Sequence, residues 1–556
     1  MRLPVLRNVT IVAALTAAAS LYAGDWPQWR GPLRNGVAPN SPTLLDEFPE
    51  DGPKRLWVTK PLMDADAERF GAGTVSDPGG WGSVSVVGNR AYVCVNMNVT
   101  VPTVVRKMDL RRFRSFQKFL WRRNMPQALL DEIEAARTSD ARRQLKEDRA
   151  VRRWVTAWIK DHMGEASQPE RSFAYDLLLA GPDELSVEAM KPLLPIANRT
   201  FPDQAALDGW FDDNHIPAET RRRLLERGYI QTHVRTGRDL VWCLDADTGR
   251  PVWHRALDGT YMAYSCSFTP AVTRGRVYAL TSAAVMVCLD ADTGGILWQS
   301  ESLGQATHAH NRSSSALVVD DLVVVGTDTG CHALDAKTGE RRWSNPDTGD
   351  KEASAVARTT GGRTHILSIG KHQLHALDPA DGTVLWSVPK KDEVFSDWRG
   401  EFRSTPALVG DAMAFCAGQK AGLVAYAFDE GEPKKLWQVP MHDAYASPVI
   451  HGGHVYYIGG NRATCVELRS GRVTWQKRLA GNARLSSPVL ADGKLFAVVA
   501  PRLLVIRADP TRYRLLAKVK LNLTKWTSPV IANGRLYLRV GKSVACYDLR
   551  AEASWK

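Results

Sequence analysis

Leu244-Asp245-Ala246-Asp247-Thr248-Gly249, followed by Trp253, is the stretch that decides the fold of this 556-residue chain. The same pattern returns twice further along: Leu289-Asp290-Ala291-Asp292-Thr293-Gly294 with Trp298, and Leu334-Asp335-Ala336-Lys337-Thr338-Gly339 with Trp343. The three tryptophans follow one another at a spacing of about 45 residues, a period typical of repeat folds with four short strands per unit. The period therefore predicts the architecture before any single motif is considered.

Two markers recur in phase along most of the chain. The first marker is the Asp- and Gly-containing turn followed by a tryptophan, and weaker copies of it lead to Trp386, Trp437 and Trp475. The second is a small or hydroxyl residue that opens an alternating strand. Its copies are Gly82-Ser83-Val84, Thr269-Pro270, Ser314-Ser315, Ser354-Ala355, Thr405-Pro406, Ser447-Pro448, Ser487-Pro488 and Ser528-Pro529. Eight copies predict eight repeats.

Each repeat has the pattern of four antiparallel strands. One repeat shows alternating apolar residues in four segments, 445–450, 454–459, 463–468 and 473–479. Gly-containing links of hairpin type separate them, which favours an antiparallel sheet. We therefore predict an all-β fold, an eight-bladed β-propeller.

The last repeat contains only three strands, at 528–532, 535–540 and 543–547. Leu56-Trp57, near the amino terminus, reproduces the Leu-Trp or Val-Trp of the other outer strands. A strand from the amino terminus would remove an open sheet edge and fix an end of the chain that would otherwise fray. We expect Leu56-Trp57 to complete the last blade.

The first repeat is interrupted by a long insertion. Its strands at 83–87 and 91–96 resume only at Leu240-Val241-Trp242, so residues 100–238 are predicted to be an α-helical insertion in the first blade. Within it, Val151, Trp154, Val155, Trp158 and Ile159 share one face at helical spacing, and Leu207, Trp210 and Phe211 repeat the pattern. Pro126, Pro217 and Gly228 are helix start and stop signals.

The amino terminus has the composition of a secretory signal. A short segment with Arg2 and Arg7 precedes an apolar run at 9–19 that is too short to span a membrane. We predict a signal peptide at 1–23, with a cut near Ala19 as the alternative. An amino-terminal extension at 24–53 and propeller residues at 54–99 and 239–556 complete the predicted organisation. Since no Cys precedes Cys94 and no later segment is long and apolar, we expect an exported, periplasmic chain without a lipid anchor or a membrane span.

The eight cysteines raise the question of disulfides in an exported protein. Cys243, Cys288, Cys465 and Cys546 lie at equivalent positions in four different repeats, too far apart to bridge one another. We predict buried free thiols at these positions.

A formal net charge of +12 suggests an acidic partner. The first part of the insertion is basic, with Arg106, Lys107, Arg111, Arg112, Arg114, Lys118, Arg122 and Arg123. Nucleic acid is a poor match for an exported protein, so an anionic glycan, a lipid headgroup or an acidic envelope protein is the better hypothesis for the partner of the basic insertion. The alternative is a solvated helical surface.

These residues together resemble a known family. The Leu-Asp-Ala-x-Thr-Gly-x-x-x-Trp repeats, the Ser-Pro strand openings and Asp25-Trp26-Pro27-Gln28-Trp29-Arg30-Gly31-Pro32 resemble the pyrroloquinoline-quinone-type (PQQ-like, quinoprotein-like) propeller repeat proteins, in particular exported ones of planctomycete-like bacteria. The resemblance implies that the repeated tryptophan docks between adjacent blades. The tryptophans in this role would be Trp57, Trp253, Trp298, Trp343, Trp386, Trp437 and Trp475, with Leu515 or Leu516 as the replacement in the seventh repeat.

The resemblance covers two functional branches, which the fold alone does not separate. One contains quinoprotein dehydrogenases, in which a quinone lies over Ca2+ in the axial funnel and an Asp acts as base. The other contains scaffolds without catalytic activity, such as the propeller lipoprotein of the outer-membrane β-barrel assembly machinery. The funnel would be lined by the loops that enter the innermost strands.

Polar and aromatic residues in those loops are the candidates for a quinone site. Asp397 and Glu401 are the candidate catalytic residues and, with Asn311 and Asp443, could supply oxygen ligands to Ca2+. The remaining candidates for cofactor binding would stack on a planar ring or pair with its carboxylates, and they are Trp81, Trp398, Arg399 and Arg403. The chain departs from the alcohol-oxidising members because it has no adjacent Cys-Cys pair.

His308 and His310 are a separate candidate for a transition metal, because two imidazoles one residue apart can share an ion. A third ligand is not evident nearby, and two solvent-facing histidines are the alternative. The prediction for the whole chain is a binding or assembly scaffold. A PQQ- and Ca2+-dependent dehydrogenase of alcohols or sugars is one alternative, and a glycan-binding propeller is the other. In the latter, sugars would stack on Trp81, Tyr264, Trp398, Tyr445 and Trp526.

Overall fold

The computed structural model consists of two compact units. It describes residues 24–49, 51–62, 75–80, 82–108, 125–196, 199–262, 268–304, 314–350, 352–370, 373–389, 404–418, 422–429, 432–441, 445–483, 485–521, 523 and 527–551. The first unit contains the described residues up to Val99 and from Arg235 onward, and the second contains those between them.

The first unit is built from antiparallel sheets, which we number 1 to 8 in chain order. Sheet 1 has the order β2 (Val75–Gly79), β4 (Arg90–Met108), β6 (Ile230–Asp245) and β7 (Pro251–Gly259), and β3 (Ser85–Val87) also pairs with β4. Sheet 8 consists of β32 (Val530–Ala532), β33 (Arg535–Val540), β34 (Ser543–Asp548) and β1 (Arg55–Val58).

Sheets 2 to 4 each contain four consecutive strands. Sheet 2 consists of β8 (Ala271–Thr273), β9 (Arg276–Leu280), β10 (Val285–Asp290) and β11 (Ile296–Ser302). Sheet 3 consists of β12 (Leu317–Val319), β13 (Leu322–Thr327), β14 (Gly330–Asp335) and β15 (Arg341–Asn345). Sheet 4 consists of β16 (Val356–Thr360), β17 (Arg363–Gly370), β18 (Gln373–Leu377) and β19 (Val384–Val388).

Sheets 5 to 7 have the same organisation. Sheet 5 consists of β20 (Ala407–Val409), β21 (Ala412–Cys416), β22 (Leu423–Phe428) and β23 (Pro433–Val439). Sheet 6 consists of β24 (Val449–His451), β25 (His454–Gly459), β26 (Arg462–Glu467) and β27 (Val473–Arg478). Sheet 7 consists of β28 (Val489–Ala491), β29 (Lys494–Val499), β30 (Arg502–Arg507) and β31 (Arg514–Lys520).

The amino-terminal strand completes sheet 8, as the sequence predicted. β1 pairs antiparallel with β34, and Trp57 lies opposite Cys546. Two predicted first strands, 445–450 and 528–532, begin later than expected, β24 at Val449 and β32 at Val530, because the residue just before each strand is a proline, which has no N–H.

Each outer strand carries a bulge, which lies beside the docking tryptophan in every sheet except sheet 7. In sheet 2, Trp298 pairs with Cys288 and Ile296 pairs with Leu289, so Leu297 is an extra residue. The same shift occurs in sheet 7, where Ala517 pairs with Val505 and Leu515 with Ile506. Ala517 therefore occupies the tryptophan position, and the prediction of Leu515 or Leu516 was wrong, because the extra residue of the bulge shifts the register by one.

The apolar core of the first unit lies between successive sheets. One cluster joins sheets 1, 2 and 3, and further clusters join sheets 3 and 4, 4 and 5, 5 and 6, and 6 and 7. A cluster with Phe496, Leu536 and Val93 joins sheets 7, 8 and 1. Every sheet thus shares buried side chains with the sheet before it and the sheet after it.

The second unit is mainly helical. Its helices are α1 (Gln127–Thr138), α2 (Asp140–Gln144), α3 (Asp148–His162), α4 (Gln168–Ala180), α5 (Val187–Met190), α6 (Gln204–Asp213) and α7 (Ala218–Glu226), with a 3-10 turn at Lys191–Ile196. The predicted start signals Pro126 and Pro217 are the N-cap residues of α1 and α7. On α3, Val151 and Val155 are buried, as the helical spacing indicated.

The edges of the insertion differ from the prediction. β4 continues to Met108 and β6 begins at Ile230, so strands occupy the two ends of the predicted helical segment. A short strand, β5 (Thr200–Phe201), pairs with β4 through Arg106 and Lys107. β-branched residues such as Val104 and Val105 favour extended backbone there.

Candidate functional site

The predicted quinone and metal residues lie outside the residues that the structure describes. These are Asp397, Glu401, Trp81, Asn311, Trp398, Arg399, Arg403, Asp443, His308 and His310. Of the five aromatic residues proposed for sugar stacking, only Tyr445 is described, and it is half-buried. The quinone, metal and glycan sites therefore remain predictions, and the described residues around them are what the structure adds.

A series of hydroxyl groups links the beginnings of the innermost strands. At six of the boundaries between successive sheets, a backbone N–H donates to the hydroxyl oxygen of the equivalent residue in the next sheet. The distances are 3.0 Å for Ser83 to Thr269, 2.9 Å for Thr269 to Ser315, 2.9 Å for Ser315 to Ser354, 2.9 Å for Thr405 to Ser447, 3.0 Å for Ser447 to Ser487 and 3.0 Å for Ser487 to Ser528. Ser83 Oγ in turn donates to the carbonyl of Ser528 at 3.4 Å.

The hydroxyl series satisfies backbone groups that an innermost strand leaves without a strand partner. All eight residues of the series are buried. The sequence marked these residues as strand openings but not as hydrogen-bonding partners, because each acceptor lies far away along the chain. The separation is 39 to 46 residues in five cases and 186 residues for Ser83 and Thr269. Their regular recurrence was the signal that could have suggested this role.

The predicted docking tryptophans lie between successive sheets. Most of their indole N–H groups donate to a carbonyl of the following sheet. The Nε1–O distances are 3.0 Å for Trp57 to Ala246, 3.0 Å for Trp253 to Ala291, 3.3 Å for Trp298 to Ala336, 2.8 Å for Trp343 to Pro379, 2.8 Å for Trp437 to Leu468 and 2.8 Å for Trp475 to Asp509. The ring of Trp386 lies 5.9 Å from that of Phe428 in sheet 5, centroid to centroid.

The repeated glycine is required by the same contact. Gly339 has a φ of +78°, and a Cβ at this position would lie 2.5 Å from Cε3 of Trp298. Any side chain would meet both a strained backbone and an occupied space. The repeated Asp and Gly thus shape a turn against which the indole of the preceding sheet packs.

The carboxylates of these turns are occupied by structural hydrogen bonds. Asp290 Oδ1 accepts from the N–H and the hydroxyl of Thr293, which lowers the pKa of Asp290. The pKa of Asp335 falls to about 2, chiefly because Arg342 donates to its carboxylate. Charged hydrogen bonds of this kind stabilise the ionised form.

Two buried imidazoles lie at the same register in neighbouring sheets. His332 Nδ1 lies 2.8 Å from Ser344 Oγ, and its Nε2 lies 3.0 Å from Thr327 Oγ1. His375 Nδ1 lies 2.7 Å from Ser387 Oγ in sheet 4. Burial, followed by the charge of Arg341, lowers the pKa of His332 to about 4. His332 is therefore held neutral and fully hydrogen-bonded within the sheet.

The predicted buried free thiols are confirmed. Cys243, Cys288, Cys465 and Cys546 are buried and unbridged. Burial raises the pKa of the Cys288 thiol to about 11 and that of Cys546 to about 12. Such thiols are poor nucleophiles and poor metal ligands at neutral pH.

A polar cleft lies at sheet 6, beside Asn482 in the segment that leads to the first strand of sheet 7. A cleft of about 330 Å³ is lined by Tyr457, Asn461, Arg462, Gln476 and Asn482, among others. In the part of the chain that the structure covers, no group of three or more His, Cys, Asp or Glu could hold a metal ion. Within the same residues, no helix has the length and apolarity needed to cross a membrane.

Comparison with known proteins gives matches over the sheets. The family model described as "Outer membrane protein assembly factor BamB" matches residues 228–364 and 357–551, which is more than half of the chain. Outer membrane protein assembly factor BamB of Burkholderia pseudomallei (strain K96243) is 25% identical over 171 residues, which are 29% of this chain and 41% of that protein. The chain thus spans about two fifths of the length of this relative.

Two solved structures are among those to which this chain is similar. BamB from Moraxella catarrhalis aligns with a TM-score of 0.42 at 17% identity, over 55% of this chain and 88% of that one. Quinohemoprotein alcohol dehydrogenase from Comamonas testosteroni aligns with a TM-score of 0.43 at 13% identity, over 57% of this chain and 72% of that one. The family match and the repeated sheets lead to one conclusion: the chain belongs to the family of the outer membrane protein assembly factor BamB and is a PQQ-like β-propeller repeat protein.

Proposed function

We propose that this chain is an exported binding or assembly scaffold of the cell envelope. In this proposal, residues 1–23 are a signal peptide, and the eight sheets form the eight blades of one propeller. The mainly helical second unit, between β4 and β6, is an insertion in the first of these blades. The observation that carries the proposal is the family match, which extends from β6 through every later sheet. The description of the matching family model is that of an outer membrane protein assembly factor.

The chemistry of the described polar groups supports a structural use. The hydroxyl series, the turn carboxylates and the buried imidazoles all have partners within or between sheets. Groups satisfied in this way stabilise a unique arrangement of the sheets. A scaffold needs that rigidity, because a preorganised surface loses less conformational freedom when it binds a partner.

The outer strands offer a surface on which a partner could bind. The bulge beside the tryptophan turns two successive side chains outward. In sheet 2 these are Ile296 and Leu297, exposed by 43% and 48%, and in sheet 4 they are Val384 and Leu385, exposed by 39% and 44%. Outer strands are also sheet edges, to which an extended segment of a partner can add by backbone hydrogen bonds.

Sheet 3 provides a matched control. At the same two positions it carries Arg341 and Arg342, and Arg342 pairs with Asp335. We therefore expect a partner to prefer the aliphatic edges of sheets 2 and 4 to the charged edge of sheet 3.

Site-specific photo-crosslinking tests the proposal. A benzophenone side chain is placed at Leu297, Leu385 or Arg342 of the full chain in its native cells, and crosslinked products are identified by mass spectrometry. We expect one discrete envelope protein, a component of β-barrel assembly, to be crosslinked at Leu297 or Leu385 and not at Arg342. No product at Leu297 and Leu385, or equal labelling at all three positions, would overturn the proposal.

A further inference from the structure

One boundary in the series of sheets lacks its tryptophan. Ala517 of sheet 7 pairs with Val505, as Trp298 of sheet 2 pairs with Cys288. A methyl group at this position fills little space and has no N–H to donate. The boundary between sheets 7 and 8 therefore needs another source of apolar volume and of a hydrogen-bond donor.

The carbonyl that an indole would reach is occupied by another donor. Leu549 of sheet 8 corresponds to Ala336 of sheet 3, because each amide donates to the first hairpin turn of its own sheet, at 3.0 and 2.7 Å. The carbonyl of Ala336 accepts from Trp298. The carbonyl of Leu549 instead accepts the backbone N–H of Leu45, at 2.8 Å.

The apolar space is filled by the same amino-terminal segment. Leu44 is 1% exposed and belongs to the cluster that contains Ala517, and Phe48 packs against that cluster. Leu44 is also fixed to sheet 7: its N–H donates to Asp492 Oδ2 at 2.8 Å, and its carbonyl accepts from Lys494 Nζ at 3.0 Å. On the other side, the N–H of Ala551 donates to the carbonyl of Thr43 at 3.0 Å.

We propose that residues 43–48, which we call the clasp, replace the docking tryptophan at the boundary between sheets 7 and 8. The clasp supplies the two parts of an indole from separate groups, the N–H from the backbone of Leu45 and the apolar volume from Leu44 and Phe48. The series of sheets is thus closed by two amino-terminal elements: β1 completes sheet 8, and the clasp joins sheet 8 to sheet 7.

The residues before the clasp anchor it across the first strands of the sheets. Their contacts are Trp26 with Val86 in sheet 1, Pro27 with Val272 in sheet 2, Arg34 with Ser315 in sheet 3, Trp29 with Thr405 in sheet 5, Arg30 with Ser447 in sheet 6, and Gly36 and Ala38 with Leu490 in sheet 7. Because a dozen residues reach six sheets, this segment lies across their common centre.

Two arginines hold this anchor. Arg30 and Arg34 are each 2% exposed, and burial lowers the pKa of both guanidinium groups to about 9. Arg34 donates to the carbonyls of Ser315 and Ala316, at 3.0 and 2.8 Å. These carbonyls belong to buried residues just before β12, the first strand of sheet 3, so the guanidinium satisfies groups that would otherwise be buried without a partner. The anchor fixes the start of the clasp and reduces the entropy lost when the clasp binds.

A double-mutant cycle in the full chain tests the clasp. Phe48→Ala is expected to lower Tm by roughly 2–4 °C, because the partly buried ring packs against the cluster that contains Ala517. Ala517→Trp alone is expected to lower Tm as well, because the new indole competes for a filled space. In the Phe48→Ala chain, Ala517→Trp is expected to raise Tm, since the indole enters the vacated space. Equal effects of Ala517→Trp in both chains would overturn the proposal.

The matched control is Leu33→Ala, in the segment that precedes the clasp. Leu33 is 69% exposed, so no change in Tm is expected. Hydrogen exchange of the unmodified chain gives an independent test. The amide of Leu45 is expected to exchange as slowly as that of Leu549, because both are donors to buried carbonyls. Arg34→Met is expected to speed exchange at Leu45 at least tenfold. Exchange of Leu45 at the rate of an unprotected amide would contradict the clasp.

Discussion

The boundaries between sheets and the interior of the helical unit bury apolar side chains in two different ways. At a sheet boundary, one indole, one turn glycine and one carbonyl recur as a set, as with Trp298, Gly339 and Ala336. The helical unit has a single core in which no set recurs, with Ile133 and Phe211 both buried. The recurring set fixes both the position and the orientation of each indole. An ordinary core mainly requires that its side chains fill the buried volume.

Buried polar groups show the same difference. In the sheets, the hydroxyl series and the histidines repeat at fixed register. In the helical unit, Arg137 donates to the carbonyls of Gly181 and Glu184, and Arg142 donates to those of Leu178 and Leu179. These guanidinium groups satisfy the carboxyl ends of helices individually. The comparison teaches that residues with the same role in every sheet can be recognised from the sequence by their spacing. A buried arginine that satisfies one particular helix end cannot be recognised in this way.

The largest effect should follow removal of a docking indole. Trp298→Ala is expected to destabilise the sheets by about 3–5 kcal/mol, because the boundary loses a buried ring and a hydrogen bond. Chemical denaturation followed by tryptophan fluorescence measures the loss. Leu297→Ala on the same strand, where Leu297 is 48% exposed, is the control and should change stability little. Similar losses for both variants would contradict the docking role.

The helical unit should respond to a core deletion as an ordinary core does. Phe211 is 1% exposed, and Phe211→Ala is expected to cost about 3 kcal/mol of unfolding free energy. Hydrogen exchange should quicken in α6 and its neighbours within 125–230. Leu225→Ala, at a residue that is 46% exposed, should leave exchange unchanged. If Phe211→Ala left exchange in 125–230 unaltered, the proposed single core would be wrong.

Substitutions of two glycines distinguish the cost of backbone strain from the cost of a steric clash with the indole. Gly339→Ala places a Cβ against Trp298 at a φ of +78°, whereas Gly275→Ala, at +71°, meets nothing within 4 Å. We expect a loss of about 2–3 kcal/mol for Gly339→Ala and about 1 kcal/mol for Gly275→Ala. Thermal unfolding of the two variants measures the difference, and equal losses would show that the indole does not require glycine.

The smallest effect concerns pH. Burial lowers the pKa of His332 to about 4. As pH falls below about 6.5, this imidazole therefore becomes protonated in the unfolded chain but stays neutral in the folded chain. The contribution of this group to stability is therefore complete above about pH 6.5 and is lost as pH falls toward 4. We expect a loss of about 1–2 kcal/mol at pH 5. His332→Gln should flatten this slope, and His451→Gln, at an exposed residue, should not.

Much of the fold was predictable from sequence because tryptophan, glycine and hydroxyl residues repeat in phase. The prediction extended to Trp57, whose strand comes from the other end of the chain. It failed at Ala517, because the register around a bulge cannot be assigned when the tryptophan that marks it is missing. The sequence also could not show the partners of Arg30 and Arg34, since the carbonyls that they bind belong to residues far along the chain.

The candidate site was less predictable than the fold. Its candidate residues, from Trp81 to Asp443, lie in segments that the sequence predicts to be loops, and loops carry no periodicity that would fix their geometry. Oxygen ligands and aromatic rings in such loops serve equally for a quinone, a sugar or a protein partner. Only a binding measurement can distinguish between a quinone, a sugar and a protein as the ligand of these loops.

The most direct test of the scaffold is calorimetric titration of the purified chain with pyrroloquinoline quinone in Ca2+ buffer, followed by a dye-reduction assay with alcohols and sugars. The account predicts no saturable heat and no reduction of the dye. One-to-one binding with turnover would contradict it. That result would make the chain a dehydrogenase, and Asp397→Asn and Glu401→Gln would then be the variants expected to abolish turnover.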